Sequence, residues 1–389
     1  MKQEMHDILV SNILPYWLNK VEDHVNGGYF GKVDGHDKVH PTHPKGAILH
    51  ARALWTFSAA YRSIGSQAYL DAASRCRDYI AKYFIDHKNG GVYWALDHLG
   101  QPLDTKKQIY AIAFTIYGLA EYVRATGDED TLRMAQGLFR DIECRAFDRA
   151  GQGYVEALTM DWKPIADMRL SDKDENEART MNTHLHVIEA YTNLYRVWRA
   201  PELRQAIYTL LDIFMHKIVN PTTHHLDLFF DDKWHGKRNI ESYGHDIEAT
   251  WLLHETALLL NDPTTTTQIE TLIRQMARAA AEGLAPDGSM RYEREVDSNT
   301  IDSQRQWWVQ CENIVGHVNL YQHFHDLADL KRAEDCWTYV KNHLIDYDNG
   351  EWYWSVDEKG NINREEDKAG FWKCPYHNGR MCLEIMERL

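Results

Sequence analysis

Apolar residues return at helical spacing along most of the chain, and the stretches in which they do so come in pairs. Residues 45–63 are followed by 67–84, 106–126 by 128–142, and 180–199 by 202–218. Two later pairs, 245–260 with 265–282 and 303–325 with 330–344, repeat the arrangement. The chain ends on a lone helical pattern at 376–388 and begins on another at 2–20, so the two ends supply the halves of one further pair. Twelve helices in six pairs are expected.

Between the pairs the period changes from helical spacing to alternation bounded by glycine and aspartate, which is a β-hairpin signal. Such stretches begin near Gly28, Gly91, Gly153, Leu226, Gly288 and Gly350. Shifting the sequence by 260 residues lays Cys76 on Cys336, Tyr79 on Tyr339, Asp86 on Asp346, Gly90 on Gly350, Trp94 on Trp354 and Gly100 on Gly360. The hairpins recur about every 62 to 73 residues, within the range of repeat architectures. An array whose first helix completes its last pair, with no capping repeats, is better closed into a toroid than left open. The expected fold is therefore an all-α (α/α)6 barrel with short β-hairpins between helix pairs, in one domain over 1–389. The long acidic connection at 161–179 reads as a surface loop of the kind that covers substrate at a barrel mouth.

Composition narrows the function. The formal net charge is −15, with 58 acidic and 43 basic residues and no basic run, so neither nucleic acid nor an anionic membrane is an expected partner. No signal-like N-terminus and no apolar run of about 18 residues is present, which points to a cytoplasmic protein. The six cysteines are scattered without a Cys-x-x-Cys pair and read as buried thiols. The 21 His, 13 Trp and 21 Tyr suggest a sugar site, since indole and phenol faces stack on sugar C–H faces while imidazoles and carboxylates bind hydroxyls; most such rings nevertheless serve cores.

Nucleotide, phosphate-loop, serine-hydrolase and zincin motifs are all absent. What remains is a set of histidines at or near helix starts. Ser242-Tyr243-Gly244-His245-Asp246-Ile247-Glu248 places His245 and Glu248 three apart on one helix face, where the carboxylate is expected to orient the imidazole. In Met181-Asn182-Thr183-His184-Leu185-His186, Asn182 and His186 share a face. His377 follows Pro375 in the first turn of the last helix, where the helix N-terminus favours neutral imidazole. Each histidine, taken alone, is also compatible with a structural role. Arg52 lies inside a largely apolar helix pattern and needs either a salt-bridge partner or a use. A metal site would need three or more ligands, and one His-x-x-Glu does not supply them, so no metal is expected.

The strings 45–55, 181–186, 242–251 and 372–380 carry a resemblance that runs end to end: the chain resembles the N-acylglucosamine 2-epimerase family, and within it the enzymes that act on disaccharides. The resemblance implies an (α/α)6 barrel, without a cofactor, that epimerises carbon 2 of the reducing-end glucose of β-1,4-linked disaccharides, converting cellobiose to glucosyl-mannose and lactose to epilactose. It implies His245 and His377 as the acid/base pair, His186 near the O1 and O2 oxygens, and Arg52 as the cation that stabilises an enediolate. Tyr110, Asn182 and Glu248 are implied in the reducing-end subsite, Trp308 and Trp372 as stacking platforms, and Asp174 as a loop contact. The protein is expected to be a monomer or weak homodimer.

Two other enzyme classes stay open on the residues. A monosaccharide 2-epimerase or aldose–ketose isomerase uses the same enediolate, and (α/α)6 barrels also carry inverting glycoside hydrolases, for which Glu248, Glu312 and Asp174 are available carboxylates. A non-catalytic sugar-binding role is a further alternative. The segment from His36 to Pro44 matches no role.

Overall fold

In the computed structural model, which describes residues 1–389, six helices form an inner ring: α2 (Ala47–Ile64), α4 (Ile109–Thr126), α6 (Met181–Val197), α8 (Tyr243–Leu260), α10 (Trp307–Phe324) and α12 (His377–Arg388). Each packs on the next, and α12 packs back on α2, so the ring is closed. The outer layer is α1 (residues 2–21), α3 (Gln67–Tyr79), α5 (Glu129–Arg145), α7 (Pro201–Ile213), α9 (Pro263–Ala280) and α11 (Leu327–His343). Each of α3, α5, α7, α9 and α11 lies against the inner helix before it, and α1 lies against α12. The expected pairing of the two chain ends is thus the contact that completes the barrel.

Burial explains why both layers are helical yet differ in pattern. Ala47 through Ala60 are all buried in α2, as an inner helix touches neighbours on both sides, the outer layer and the barrel core. In α5 only one face is buried, formed by Thr131, Ala135, Leu138, Phe139 and Ile142. Side-chain caps start several helices: Asp128, Thr180, Asp262 and Asp326 each accept a hydrogen bond from a backbone N–H of the first turn. Left-handed residues end others, Gly65 at φ +80° and Gly127 at φ +73°.

The hairpins lie where alternation placed them, and they do more than turn the chain. The two-residue strand that leads into an inner helix pairs with a strand of the following hairpin, as Lys45–Gly46 does with Ala95–Leu96 and Lys107–Gln108 with Ala157–Leu158. The last such link joins Lys32–Val33 to Ala369–Gly370 and closes this collar as α1 closes the ring. Helical patterns read as starting at 45, 106 and 303 begin in fact at 47, 109 and 307, because the intervening residues form these strands.

An ion pair reinforces most units, and in three of them it is buried. Asp23, Asp86 and Asp346 each accept backbone N–H groups of their own turn and then a lysine, respectively Lys45, Lys107 and Lys368, at 2.8 Å. Arg179 with Asp148 at 2.5 Å and Arg305 with Asp287 at 3.6 Å fill the same place. The 260-residue repeat of Asp86 and Asp346 records this device. Gly90 and Gly350 repeat because their turns need φ of +82° and +85°. Five cysteines are buried as free thiols and Cys144 is exposed. No helix is long and apolar enough to cross a membrane.

Candidate active site

A cavity of about 380 Å³ opens where the inner helices begin, and all ten residues singled out in the sequence line it: Arg52, Tyr110, Asp174, Asn182, His186, His245, Glu248, Trp308, Trp372 and His377. The architecture accounts for the convergence. Those on inner helices fall within the first six residues of their helix: Arg52 in α2, Tyr110 in α4, Asn182 and His186 in α6, His245 and Glu248 in α8, Trp308 in α10 and His377 in α12. The long loop adds Leu170 through Asp174 to the rim, with Asp174 accepting from the Ser171 N–H at 2.9 Å and hydroxyl at 2.8 Å.

Three imidazoles share one arrangement. His377 Nδ1 donates to Glu312 Oε1 at 2.6 Å, and His186 Nδ1 donates to Glu189 Oε2 at 2.7 Å. A carboxylate accepts only, so both rings carry their proton on Nδ1 when neutral and keep the Nε2 lone pair free. His245 Nδ1 meets the Ser242 hydroxyl at 2.8 Å, a partner that can give or accept a proton. None of the three Nε2 atoms has a protein hydrogen-bond partner. Burial lowers the pKa of all three, to about 3 for His245 and His377, so they stand neutral near pH 7. The Trp308 ring packs near two of them, 4.7 Å from His245 and 5.6 Å from His377 between ring centroids.

Arg52 has no carboxylate partner. Its Nη2 donates to the Tyr110 hydroxyl at 2.8 Å and its Nη1 to the Trp372 carbonyl at 3.3 Å, while the guanidinium lies 4.1 Å from the Phe114 ring centroid and 4.7 Å from that of Tyr376. The other three buried arginines, Arg179, Arg305 and Arg380, each face at least one carboxylate. Salt-bridge formation, open for Arg52 in the sequence, is excluded by this geometry. Its positive charge is held in the cavity wall by aromatic faces and neutral acceptors.

Glu248 departs from expectation. It does not orient His245; its Oε1 instead accepts from Arg380 Nη2 at 2.7 Å, and the same nitrogen donates to Glu312 Oε1 at 2.7 Å. Arg380 also bonds Glu189 and the Tyr376 hydroxyl. Glu189 and Glu312, which hold two of the histidines, are therefore tied to one buried guanidinium beneath the cavity floor. Burial and the nearby Glu312 charge raise the Glu248 pKa well above the carboxylate range against the pull of Arg380, whereas Arg380 and His377 outweigh burial at Glu312 and lower its pKa. Glu248, Glu312 and His377 bring ligand-type atoms within 4.8 Å of one another, but the guanidinium of Arg380 already serves as the cation of that cluster. Glu248 and Glu312, with oxygens within 4.8 Å of each other, are closer than the roughly 6.5 to 9.5 Å that an inverting hydrolase needs across a water.

Sequence reasoning missed Glu189, Ser242 and Arg380 as parts of the site and had Glu312 only as a hydrolase carboxylate. Glu189 was within reach, since it lies three residues after His186 on the same face. The segment with His36, His40 and His43 stays outside the cavity, with His40 paired to Asp34 at 2.7 Å.

Comparison with known proteins agrees with the architecture. The family model for N-acylglucosamine 2-epimerase (GlcNAc 2-epimerase) matches residues 28–379. The cellobiose 2-epimerase of Bacteroides fragilis is 52% identical over 386 residues, covering 99% of this chain and 98% of that protein. That of Ruminococcus albus is 38% identical over 389 residues, covering 100% and 99%. The solved structure of cellobiose 2-epimerase from Bacillus thermoamylovorans superposes with a TM-score of 0.94 at 41% identity, over 100% of this chain and 99% of that one. Matched from hairpin collar to final helix, this six-unit ring belongs to the N-acylglucosamine 2-epimerase family.

Proposed function

We propose that the chain is a cellobiose 2-epimerase, inverting carbon 2 of the reducing-end glucose of β-1,4-linked disaccharides, with residues 1–389 acting as one catalytic unit. The observation that carries the mechanism is Arg52, a buried cation without a carboxylate partner beside three imidazoles whose Nε2 atoms are free. Such a site favours an anion that forms transiently on an oxygen, which is what proton removal next to a carbonyl produces.

In the proposed reaction the reducing-end ring opens to the aldehyde. One imidazole Nε2 takes the carbon 2 proton, and the electron pair moves onto the carbonyl oxygen to give an enediolate, which Arg52 stabilises together with the Tyr110 hydroxyl it holds. The second imidazole, first protonated on Nε2 from solvent, delivers that proton to the other face of carbon 2 as the carbonyl re-forms, the first imidazole returns its captured proton to solvent, and ring closure gives the mannose epimer. His377 and His245 are the two bases, His186 and Asn182 bind O1 and O2, and Trp308 and Trp372 stack on the sugar rings. Glu312 fixes the His377 tautomer, while Ser242 suits His245 to either protonation state. Glu248, anchored by Arg380, offers a polar edge to the reducing-end sugar. Asp174 contributes a contact from the loop.

The test is incubation with cellobiose followed by proton NMR of the anomeric region. Signals of glucosyl-mannose are expected, with deuterium entering carbon 2 when the solvent is D2O. Free glucose as the product would replace this reading with hydrolysis, and faster turnover of mannose than of cellobiose or lactose would replace it with a monosaccharide enzyme.

A further inference from the structure

The fourth unit breaks the ion-pair rule that the others follow. At the position just before the inner-helix N-cap, the other entry strands have Lys45, Lys107, Arg179 and Arg305; here the residue is Glu241. Asn220 takes the place of the turn aspartate, its Oδ1 accepting from the Thr222 N–H at 3.0 Å. Both partners of the usual pair have changed, and the position that elsewhere supplies a cation supplies a carboxylate.

His225 lies beside this carboxylate. It is 3% exposed, and its Nδ1 donates at 2.6 Å to Asp246, which also accepts the Leu226 N–H at 2.8 Å. Its Nε2 has no hydrogen-bond partner and is aimed at two carboxylate oxygens, Glu241 Oε1 at 3.7 Å and Glu282 Oε2 at 3.9 Å. The three ligand-type atoms lie within 4.8 Å of one another. These separations are too long for hydrogen bonds and close to those between ligands sharing one small ion, whose bonds to nitrogen and oxygen run about 2.0 to 2.2 Å. Arg294 is the one facing cation, its Nη2 donating to Glu241 Oε1 at 2.9 Å and its Nε lying 2.7 Å from Oε2. With neutral imidazole, three carboxylates against one guanidinium leave the cluster doubly negative.

We propose that His225, Glu241 and Glu282 form a binding site for a divalent transition-metal ion of the zinc type, separate from the active site. Asp246 sets the tautomer so that Nε2 presents its lone pair, the carboxylate–histidine arrangement that supports metal-bound imidazoles. Glu282, whose side chain is 53% exposed, leaves a route from solvent. The ion takes over the role of the missing lysine, tying the turn before Leu226 to the Ile240–Ser242 strand. Ser242, next to Glu241, holds His245, so the ion braces the strand that positions that imidazole.

The test is titration of metal-stripped full-length protein with Zn²⁺, by calorimetry and by metal content after gel filtration. One tightly bound zinc per chain is expected, weakened by about tenfold or more in Glu282→Gln and in His225→Gln. Glu282→Gln changes a half-exposed side chain and leaves the fold intact, so the result does not depend on the buried variant folding. Failure to bind one equivalent, or binding that both substitutions leave unchanged, overturns the proposal. The second result would place the zinc elsewhere, and the first would leave His225 as an imidazolium standing in for the lysine.

Discussion

His184 and His186 are two residues apart on α6, and both are fully enclosed, at 0% and 2% exposure. Burial lowers the pKa of each. They differ in what the second ring nitrogen meets. His184 donates from Nδ1 to the Thr180 carbonyl at 2.7 Å and accepts the Tyr154 N–H on Nε2 at 3.0 Å, so both nitrogens are used in tying a hairpin to a helix. His50 repeats this in the first unit, with Gly46 at 2.8 Å and Tyr29 at 3.0 Å. His186, His245 and His377 use one nitrogen on the protein and turn the other to the cavity. Neither burial nor a perturbed pKa separates chemistry from structure here; an account of both nitrogens does.

Substitutions on the cavity side should damage turnover and spare the fold. His377→Asn is expected to lower kcat by about 10³-fold or more, within the range for losing a positioned acid/base group together with its geometry. The melting temperature should stay close to that of the parent. Retained turnover would remove His377 from the reaction. Arg52→Met should cost about 10² to 10³ in kcat, the size of effect found when one donor to a developing oxyanion is removed. If Arg52→Met instead raised KM alone, the guanidinium would bind ground-state substrate only.

On the structural side the effect should reverse. His184→Leu leaves the Tyr154 N–H and the Thr180 carbonyl without their side-chain partner, an expected loss of about 1 to 3 kcal/mol in unfolding free energy with kcat per folded molecule unchanged. His184→Gln should recover most of it. The fifth unit already has this solution: Gln310 Oε1 accepts the Met290 N–H at 2.8 Å, and its Nε2 donates to the Gln306 carbonyl at 3.3 Å. A glutamine variant as unstable as the leucine one would show that imidazole packing, rather than the two hydrogen bonds, matters at this position.

The sequence made the ring legible because every unit repeats a helix pair, a hairpin and a turn aspartate, so weak local signals add in register. It made cavity residues legible because inner-helix starts converge on one mouth. Partners were harder to read. Glu312 reaches His377 across 65 positions of sequence, and Arg380 gathers carboxylates from α6, α8 and α10, contacts that no local spacing encodes. The same-face rule held for His186 and Glu189 but failed for His245 and Glu248 at the same spacing, because Arg380 draws Glu248 away. Charge balance in a closed core is settled by all the helices around it.

The last expected effect concerns the structural histidine alone and is read from pH. His184 has its pKa lowered from 6.5 to about 4, chiefly by burial, with Arg179 adding to the effect and the Thr180 carbonyl opposing it. In the unfolded chain the imidazole binds a proton as pH falls through about 6.5, whereas in the folded chain it does not until about pH 4. The stabilisation from keeping this ring neutral is therefore complete above pH 6.5 and lost on acidification across that window. The slope is at most about 1.4 kcal/mol per pH unit for a single site. His184→Gln removes this titration but keeps the hydrogen bonds, so its unfolding free energy should match the parent near pH 7.5 and exceed it near pH 4.5. Urea titrations at the two pH values measure the difference directly. Parallel behaviour of parent and variant would mean that His184 is protonated in the native state, and the tie to the Tyr154 N–H, which needs a free Nε2 lone pair, could not then be holding the hairpin.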